Sequence, residues 1–190
     1  MANGNTIQAL ISRLDTPGDI AAGRVIQELA KVGSKAVPAL IIAASNCDFP
    51  RIRKRSLEAL GAIGDLRAAP ILIEALSDQR MTVKLHATRA LGRMKHTKAA
   101  NKIAKLLNDD SGGIRVNAID SLAKIGSRVT ARKIQKCLGD PKWYVRQRAC
   151  NACGVLKVKS SVAELKLLAM SDTRKAVRDA AIEALKKITP

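Results

Sequence analysis

Two cysteines at the spacing Cys-x-x-Cys are the side chains of this sequence with the clearest capacity for chemistry. Cys150 and Cys153 are three residues apart, so on a helix they lie on neighbouring faces. Redox chemistry would need a thiol of lowered pKa at a helix N-terminus, whereas the surrounding pattern places this pair in the middle of a helix. A zinc site needs about four ligands; Cys137 could supply a third, and Cys47 lies far away along the chain. We therefore interpret Cys150 and Cys153 as small core residues and predict no metal and no cofactor.

Histidine offers no better case for catalysis. His86 and His96 are the only histidines, and the sequence shows neither a Ser-His-Asp nor a Cys-His arrangement. It also lacks a glycine-rich phosphate loop and a pattern of paired carboxylates. The sequence therefore predicts no catalytic residue and favours a protein that binds rather than reacts.

Trp143 and Tyr144 form the one place where aromatic rings adjoin positive charge. Arg146 and Arg148 follow them directly, and Pro141 precedes them. Such rings can stack on a base or a tetrapyrrole, or anchor a partner protein as a binding hot spot. Equally, they can cover the edge between two successive structural units. Both interpretations stay open at the level of sequence.

These residues belong to a pattern that recurs along the whole chain. Its first complete copy runs from Ile52 to Gly64, and a degenerate copy begins at Ala21. Later copies begin at Val83, Ile114, Val145 and Val177, so that successive copies start 31 residues apart, with a last step of 32. A fixed period in this range indicates stacked supersecondary units.

Each repeat is predicted to contain two helices. Within the second helix, apolar or small residues recur at the spacing of one helical face, as in Ile52, Ala59 and Ile63. A shorter helix precedes it and repeats one core position at Leu72, Ile103, Ile134 and Leu165. Gly64 and Gly126 stand where a helix end favours a left-handed residue. We expect an all-α chain of about six two-helix repeats forming a single domain over residues 1–190.

Basic residues recur at the second position of each copy. This ladder consists of Arg53, Lys84, Arg115, Arg146 and Arg178. An arginine there can reach the loop aspartate or the carbonyl groups of a neighbouring repeat, so we interpret the ladder as structural. Other basic residues on the second helices are better candidates for partner contact, because packing does not require them: Lys54, Arg55, Arg89, Arg93 and Arg148.

Positive charge dominates the composition. The formal net charge is +18, and it is unevenly distributed: residues 79–159 hold nineteen basic side chains against four acidic ones. Such a surplus attracts polyanions or acidic proteins. Aromatic residues make up only 2% of the chain, which is few for stacking bases. No long apolar run and no secretory signal are present, so we expect a soluble cytoplasmic protein without a membrane span.

The repeat resembles the HEAT-repeat superfamily, and specifically the short PBS-lyase HEAT-like repeats. The pattern Asp-x(4)-Val-Arg-x(2)-Ala-x(2)-Ala-Leu-Gly corresponds to residues 78–92, with Lys84 at the arginine position, and without its final glycine to residues 172–185. The resemblance covers essentially residues 5–190. It implies an armadillo-type fold, a right-handed α-α superhelix whose second helices line the concave side.

Three functions are compatible with these observations. The first is a non-catalytic protein-interaction scaffold whose basic concave surface binds an acidic protein, with Trp143 and Tyr144 as further contacts. The resemblance also implies, as an alternative, a phycobiliprotein bilin lyase or chaperone-like subunit. The third is a nucleic-acid-binding protein that uses the same positive charge. The last helix would suit docking of another chain, which would give a hetero-oligomer through the C-terminal repeat.

Overall fold

The computed structural model describes residues 4–45, 48–126 and 128–189, with every side chain in these ranges except that of Arg128. Twelve α-helices occupy most of this part of the chain, which contains no strand, so the predicted all-α class is confirmed. None of these helices combines the length and apolarity needed to cross a membrane. The helices are α1 Gly4–Ser12, α2 Asp19–Val32, α3 Val37–Ser45, α4 Pro50–Ile63, α5 Ala69–Glu74, α6 Met81–Arg93, α7 Ala100–Lys105, α8 Gly112–Ile125, α9 Arg128–Lys136, α10 Trp143–Val155, α11 Val162–Ser171 and α12 Lys175–Ile188.

The helices form six pairs, and an aspartate organises the loop inside four of them. Its side chain accepts a hydrogen bond from the backbone N–H two residues later, just before the second helix begins. The donors and distances are Arg80 to Asp78 at 2.8 Å, Ser111 to Asp109 at 3.0 Å, Lys142 to Asp140 at 2.9 Å and Arg174 to Asp172 at 2.9 Å. Such Asx turns fix the entry of the chain into the second helix.

Glycine has two different tasks around the second helices. Gly64 and Gly126 end α4 and α8 in the left-handed conformation, with φ of 77° and 74°, as the sequence predicts. Gly61 instead allows close packing, because a β-carbon there would lie 2.5 Å from Cβ of Ala90 on α6. The same relation joins α10 and α12, where a β-carbon on Gly154 would lie 2.8 Å from Cα of Ala184.

The chain divides into two compact units, residues 1–96 and residues 97–190, with three helix pairs each. The core of each unit is aliphatic. Leu57, Leu60 and Leu91 are fully buried in the first unit, and Ile119, Leu122 and Ile134 are fully buried in the second. The interpretation of residues 1–190 as a single domain stays a prediction.

Candidate partner-binding site

The ladder arginines bind two loops at once, and Arg146 shows the arrangement in full. Its Nε and Nη2 donate to the two carboxylate oxygens of Asp172 at 2.7 and 3.0 Å. Its Nη1 donates to the main-chain carbonyls of Asp140 at 2.9 Å and Pro141 at 3.3 Å. One guanidinium therefore joins the loop before its own helix to the loop of the next repeat, with the bidentate geometry that favours arginine over lysine.

Other members of the ladder repeat parts of this arrangement. Arg115 donates to both carboxylate oxygens of Asp140 at 2.7 and 2.8 Å, and Arg53 lies 2.6 Å from Asp78. Arg178 donates to the main-chain carbonyl of Asp172 at 2.7 Å. Lys84 is half-buried at the corresponding place on α6. These side chains are engaged in packing the repeats, so they are poor candidates for partner contact.

The buried ion pairs change the pKa values of their members. The hydrogen bond from Arg146 lowers the pKa of Asp172, against the opposing effect of burial. The same bond raises the pKa of Arg146. At Asp140, burial alone would raise the pKa, but hydrogen bonds from Arg115 and from the backbone of Lys142 leave it lowered.

Replacing Asp172 by asparagine should lower the stability of the second unit by about 2 kcal/mol at pH 7, because Arg146 loses a charged, bidentate partner. The folded-state pKa of Asp172 lies below its unfolded value of about 3.9. The contribution of the pair is therefore complete above that value and is lost as the pH falls through the folded-state pKa. Urea unfolding at pH 7 and pH 3 checks this: the difference between the two proteins should shrink at pH 3. An equal difference at both pH values would contradict the assignment.

Arg55, one of the residues expected to contact a partner, is buried. Its side chain is buried, with 4% of the residue exposed, and its Nη1 donates to the carbonyls of Leu14 at 2.7 Å and Thr16 at 2.6 Å. Its Nη2 lies 3.3 Å from both the carbonyl of Gly18 and Oδ1 of Asp19. The expectation that packing makes no use of Arg55 is therefore wrong, because this guanidinium supplies the loop before α2 with its hydrogen-bond donors.

A sequence signal for this role exists. Ala22 stands at the ladder position of α2, so the first repeat lacks the arginine that would bind its own loop. Thr16 is the counterpart of Asp140, whose carbonyl Arg146 binds. Arg55 binds the carbonyl of Thr16 instead, from the following repeat. The signal for a buried arginine is therefore twofold: one repeat lacks its ladder residue, and the next repeat has an additional arginine.

The helices α2, α4 and α6 enclose a cavity of about 310 Å³ that we call the His86 groove. Two of the predicted contact residues, Lys54 and Arg89, line it together with the buried Arg55. The complete lining is Asp19, Ala22, Gly23, Ile26, Lys54, Arg55, Glu58, His86 and Arg89. Arg93, a further predicted contact, lines a small adjoining cavity that also includes Glu58, His86 and Arg89.

His86 has the most distinctive electrostatic environment in the His86 groove. Its Nδ1 lies 3.5 Å from Oε2 of Glu58, and 16% of its side chain is exposed. Burial lowers the pKa of His86; Glu58 opposes this effect, and the positive charges of Lys54, Arg89 and Arg93 lower the pKa further. In the sequence His86 has no recognisable catalytic partner, and its position among cations is a result of the fold.

The second unit has a separate groove of about 440 Å³ between α8 and α10. Arg148, the remaining predicted contact, lines it with 47% of its side chain exposed, and its Nε lies 3.4 Å from Oδ1 of Asp120. The other lining residues are Ala123, Lys124, Asn151, Ala152 and Val155. The groove is partly apolar and half open to solvent.

Trp143 and Tyr144 have different surroundings. Their rings meet edge to face, with centroids 5.9 Å apart. Trp143 is 39% exposed, whereas Tyr144 packs against Gly112 at the start of α8, where an added β-carbon would lie 3.0 Å from ring carbons. Tyr144 therefore covers the edge between two repeats, and Trp143 is the ring of the pair that is more open to a partner.

An apolar cavity of about 450 Å³ also lies in the first unit, between α1, α3 and the start of α4. Its lining includes Ile42 and Phe49, which are 70% and 56% exposed. None of the residues predicted from the sequence to contact a partner lines it.

The cysteine pair is part of the core. Cys150 and Cys153 are both 0% exposed, and burial raises the pKa of Cys150 to about 12 and that of Cys153 to about 11. Among the described residues, no group of three or more histidine, cysteine or acidic side chains could hold a metal ion. Cys47 lies outside the described residues.

Alkylation by iodoacetamide at pH 8 should modify Cys150 and Cys153 at least a hundred times more slowly in the folded protein than in 6 M guanidinium chloride. Burial excludes the reagent and keeps both thiols protonated, so reaction requires local opening. Peptide mapping by mass spectrometry measures the two sites separately. Equal rates in the folded and unfolded protein would contradict the core assignment.

The family of the chain follows from comparison with known repeats. A model of HEAT repeats matches residues 7–90, 72–142 and 130–190. The chain belongs to the HEAT-repeat family. No curated protein matches it by sequence.

Solved structures with the same HEAT-type or armadillo-type fold cover almost the whole chain. YibA of Escherichia coli is 21% identical, with a TM-score of 0.75 and coverage of 95% of this chain and 72% of the other. The complex of CpcE and CpcF of phycocyanin lyase from Nostoc sp. PCC7120 gives 23% identity, a TM-score of 0.64 and coverage of 96% and 77%. A designed armadillo repeat protein in complex with the peptide (KR)4 is 17% identical, with a TM-score of 0.67 and coverage of 96% of this chain and 99% of the other. These likenesses show the fold, an α-α solenoid of HEAT repeats.

Within this HEAT-repeat chain, the structure brings only some of the predicted contacts together. Lys54, Arg89 and Arg93 surround His86 in the first unit, and Arg148 lies in the groove of the second. Arg55 and Tyr144 are used in packing. Lys54, Arg89 and Arg93 therefore form the candidate site of the first unit, and Arg148 is a separate candidate in the second.

Proposed function

We propose that this HEAT-repeat scaffold binds an acidic segment of a partner protein on the surface of its second helices. The observation that carries the proposal is the cluster of Lys54, Arg89 and Arg93 around His86. Burial lowers the pKa of His86, and these three cations lower it further. Three cations on two adjacent helices attract carboxylates at close range, and attraction is stronger beside a partly buried groove than in open solvent.

The fold supports binding of an extended charged chain. The designed armadillo protein mentioned above is in complex with a peptide of alternating lysine and arginine. The present chain has a formal net charge of +18. An acidic peptide is therefore the complementary ligand.

The second unit has two candidate contacts of its own. Arg148 is half exposed at the edge of its groove, and Trp143 is 39% exposed on the same helix. Tryptophan and arginine are both enriched at binding hot spots. We propose both residues as partner contacts within the second unit. The hypothesis of a bilin lyase or chaperone-like subunit stays a prediction.

A binding experiment with defined probes tests the proposal. Fluorescence anisotropy would compare a polyglutamate chain of about twenty residues with a single-stranded DNA of similar length, from 50 to 300 mM salt. We expect polyglutamate to bind more tightly at physiological salt. Tighter binding of DNA, with a steep loss of affinity as salt rises, would favour the nucleic-acid hypothesis instead.

Two triple variants with equal net charge separate a site from general attraction. Lys54→Gln, Arg89→Gln and Arg93→Gln remove the cluster around His86. Lys98→Gln, Lys102→Gln and Lys105→Gln remove three exposed lysines from the region of α7. We expect the first variant to weaken polyglutamate binding about tenfold or more, and the second about twofold. Equal losses would contradict a dedicated site.

A further inference from the structure

The His86 groove exists because two side chains are missing from α2. At the second and third positions of the repeat pattern, α2 has Ala22 and Gly23, whereas the same positions of α4 hold Arg53 and Lys54. A β-carbon on Gly23 would meet no atom within 4 Å. Gly23 therefore leaves open space on α2, and a larger side chain there would occupy it.

The loop beside this space accepts hydrogen bonds from Arg55. Arg55 donates to the carbonyls of Leu14, Thr16 and Gly18, and so takes the task that a ladder arginine at Ala22 would have had. Arg55 belongs to α4 and is one of the residues that line the groove. The result is a cavity of about 310 Å³. This volume is large enough for one side chain but not for a folded element.

The walls differ in chemistry. Ala22, Gly23 and Ile26 form the apolar side on α2, and Lys54 and Arg89 bring positive charge from α4 and α6. The acidic groups of the lining are already in contact with positive or titratable partners: Asp19 with Arg55 at 3.3 Å and Glu58 with His86 at 3.5 Å. A short acidic side chain, with an aliphatic stem and a carboxylate, matches both walls.

His86 lies where an incoming carboxylate would change its charge. The charged and titratable groups around it are known for the three helices that line the groove: Asp19 on α2; Lys54, Arg55 and Glu58 on α4; and Arg89 and Arg93 on α6. Glu58 is the acidic group nearest to it, and cations outnumber acids in this set. A second carboxylate in the groove would offset that surplus and favour the imidazolium form of His86.

We propose that the His86 groove receives one acidic side chain, best matched by glutamate, of the bound partner, and that its entry is accompanied by protonation of His86. This inference rests on the proposed function and specifies which part of the surface anchors the partner. Burial and the surrounding cations keep the pKa of His86 below its usual value in the free protein, and the bound carboxylate raises it. Protons are therefore taken up on binding, and affinity rises as the pH falls from 8 towards 6.

Nuclear magnetic resonance and anisotropy with polyglutamate test this proposal on the full-length chain. The imidazole signals of His86 are titrated with and without saturating polyglutamate, and His96, which does not line the groove, serves as the internal reference. We expect an upward shift of the pKa of His86 alone. Binding should be about three- to tenfold tighter at pH 6 than at pH 8, and His86→Gln should remove this difference.

A steric variant separates the groove from general charge. Gly23→Leu adds bulk to the open space without removing any charge, and Ala21→Leu adds the same side chain at an exposed site on the same helix. We expect Gly23→Leu to weaken polyglutamate binding at least fivefold and to abolish the pKa shift, and Ala21→Leu to do neither. If polyglutamate binds but Gly23→Leu changes neither result, the groove proposal is overturned while the proposed function stands. If the wild-type chain does not bind polyglutamate at all, the proposed function fails with it.

Discussion

Replacing Gly61 by valine should lower the free energy of unfolding of the first unit by about 4 kcal/mol. A β-carbon at this position would lie 2.5 Å from Cβ and 2.7 Å from Cα of Ala90, so α4 and α6 must move apart. Separation of two packed helices removes dispersion contacts along the pair and strains the side chains around it. Even Gly61→Ala should destabilise by about 2 kcal/mol, although alanine is the better helix former.

A second helical glycine in the same unit provides the control. Gly23 lies within α2, and a β-carbon there would meet nothing within 4 Å. Gly23→Ala should therefore stabilise the unit by about 0.5 to 1 kcal/mol. Native-state hydrogen exchange of amides in α4 and α6 measures both changes within the first unit. Similar effects of alanine at the two positions would contradict the close packing of Gly61 on Ala90.

Replacing Arg55 by alanine should lower the stability of the first unit by about 3 to 4 kcal/mol. The substitution leaves the carbonyls of Leu14 and Thr16 without the guanidinium that binds them at 2.7 and 2.6 Å. Buried acceptors that lose a charged donor account for most of this loss, and the empty volume of the side chain adds to it. Because the contacts lie on the loop before α2, we expect the first repeat to open at lower urea concentration than the rest of the unit.

Arg51→Ala is the matched control for Arg55→Ala. It removes one positive charge from the same helix, but Arg51 is exposed, so its effect should stay within about 0.5 kcal/mol. Hydrogen exchange of amides in α1 and α2, compared with α6, locates the change. An Arg55→Ala protein as stable as Arg51→Ala would show that solvent replaces these hydrogen bonds without loss.

The repeat and its ladder could be predicted because they depend on local, periodic information. Apolar residues at helical spacing determine which face of each second helix is buried, and an aspartate before each of four second helices forms the turn that leads into that helix. The ladder arginine then meets the aspartate of the next loop because every repeat has nearly the same geometry. Arg115 and Arg146 show the same bidentate pairing one repeat apart.

The candidate contact residues were harder to predict, because they depart from the repeat. Arg55 and Lys54 are adjacent basic residues on one helix, and nothing local distinguishes them. Arg55 is buried because a loop 37 to 41 residues earlier lacks its own ladder arginine. Lys54 lines the groove instead. Tyr144 is a packing residue because Gly112, in another helix, has no side chain and leaves room for the tyrosine ring.

By itself, the sequence determined the period, the all-α class, the helix pairs and the positions of the loop aspartates, since each of these depends on spacing within a single repeat. The tertiary structure decided which cations are available to a partner and where a cavity opens. That outcome depends on pairs of residues in different repeats: the small side chains of Ala22 and Gly23 leave space on α2, and Arg55 crosses to the neighbouring loop. His86 therefore lies in a groove among cations, a property that its position in the sequence does not reveal.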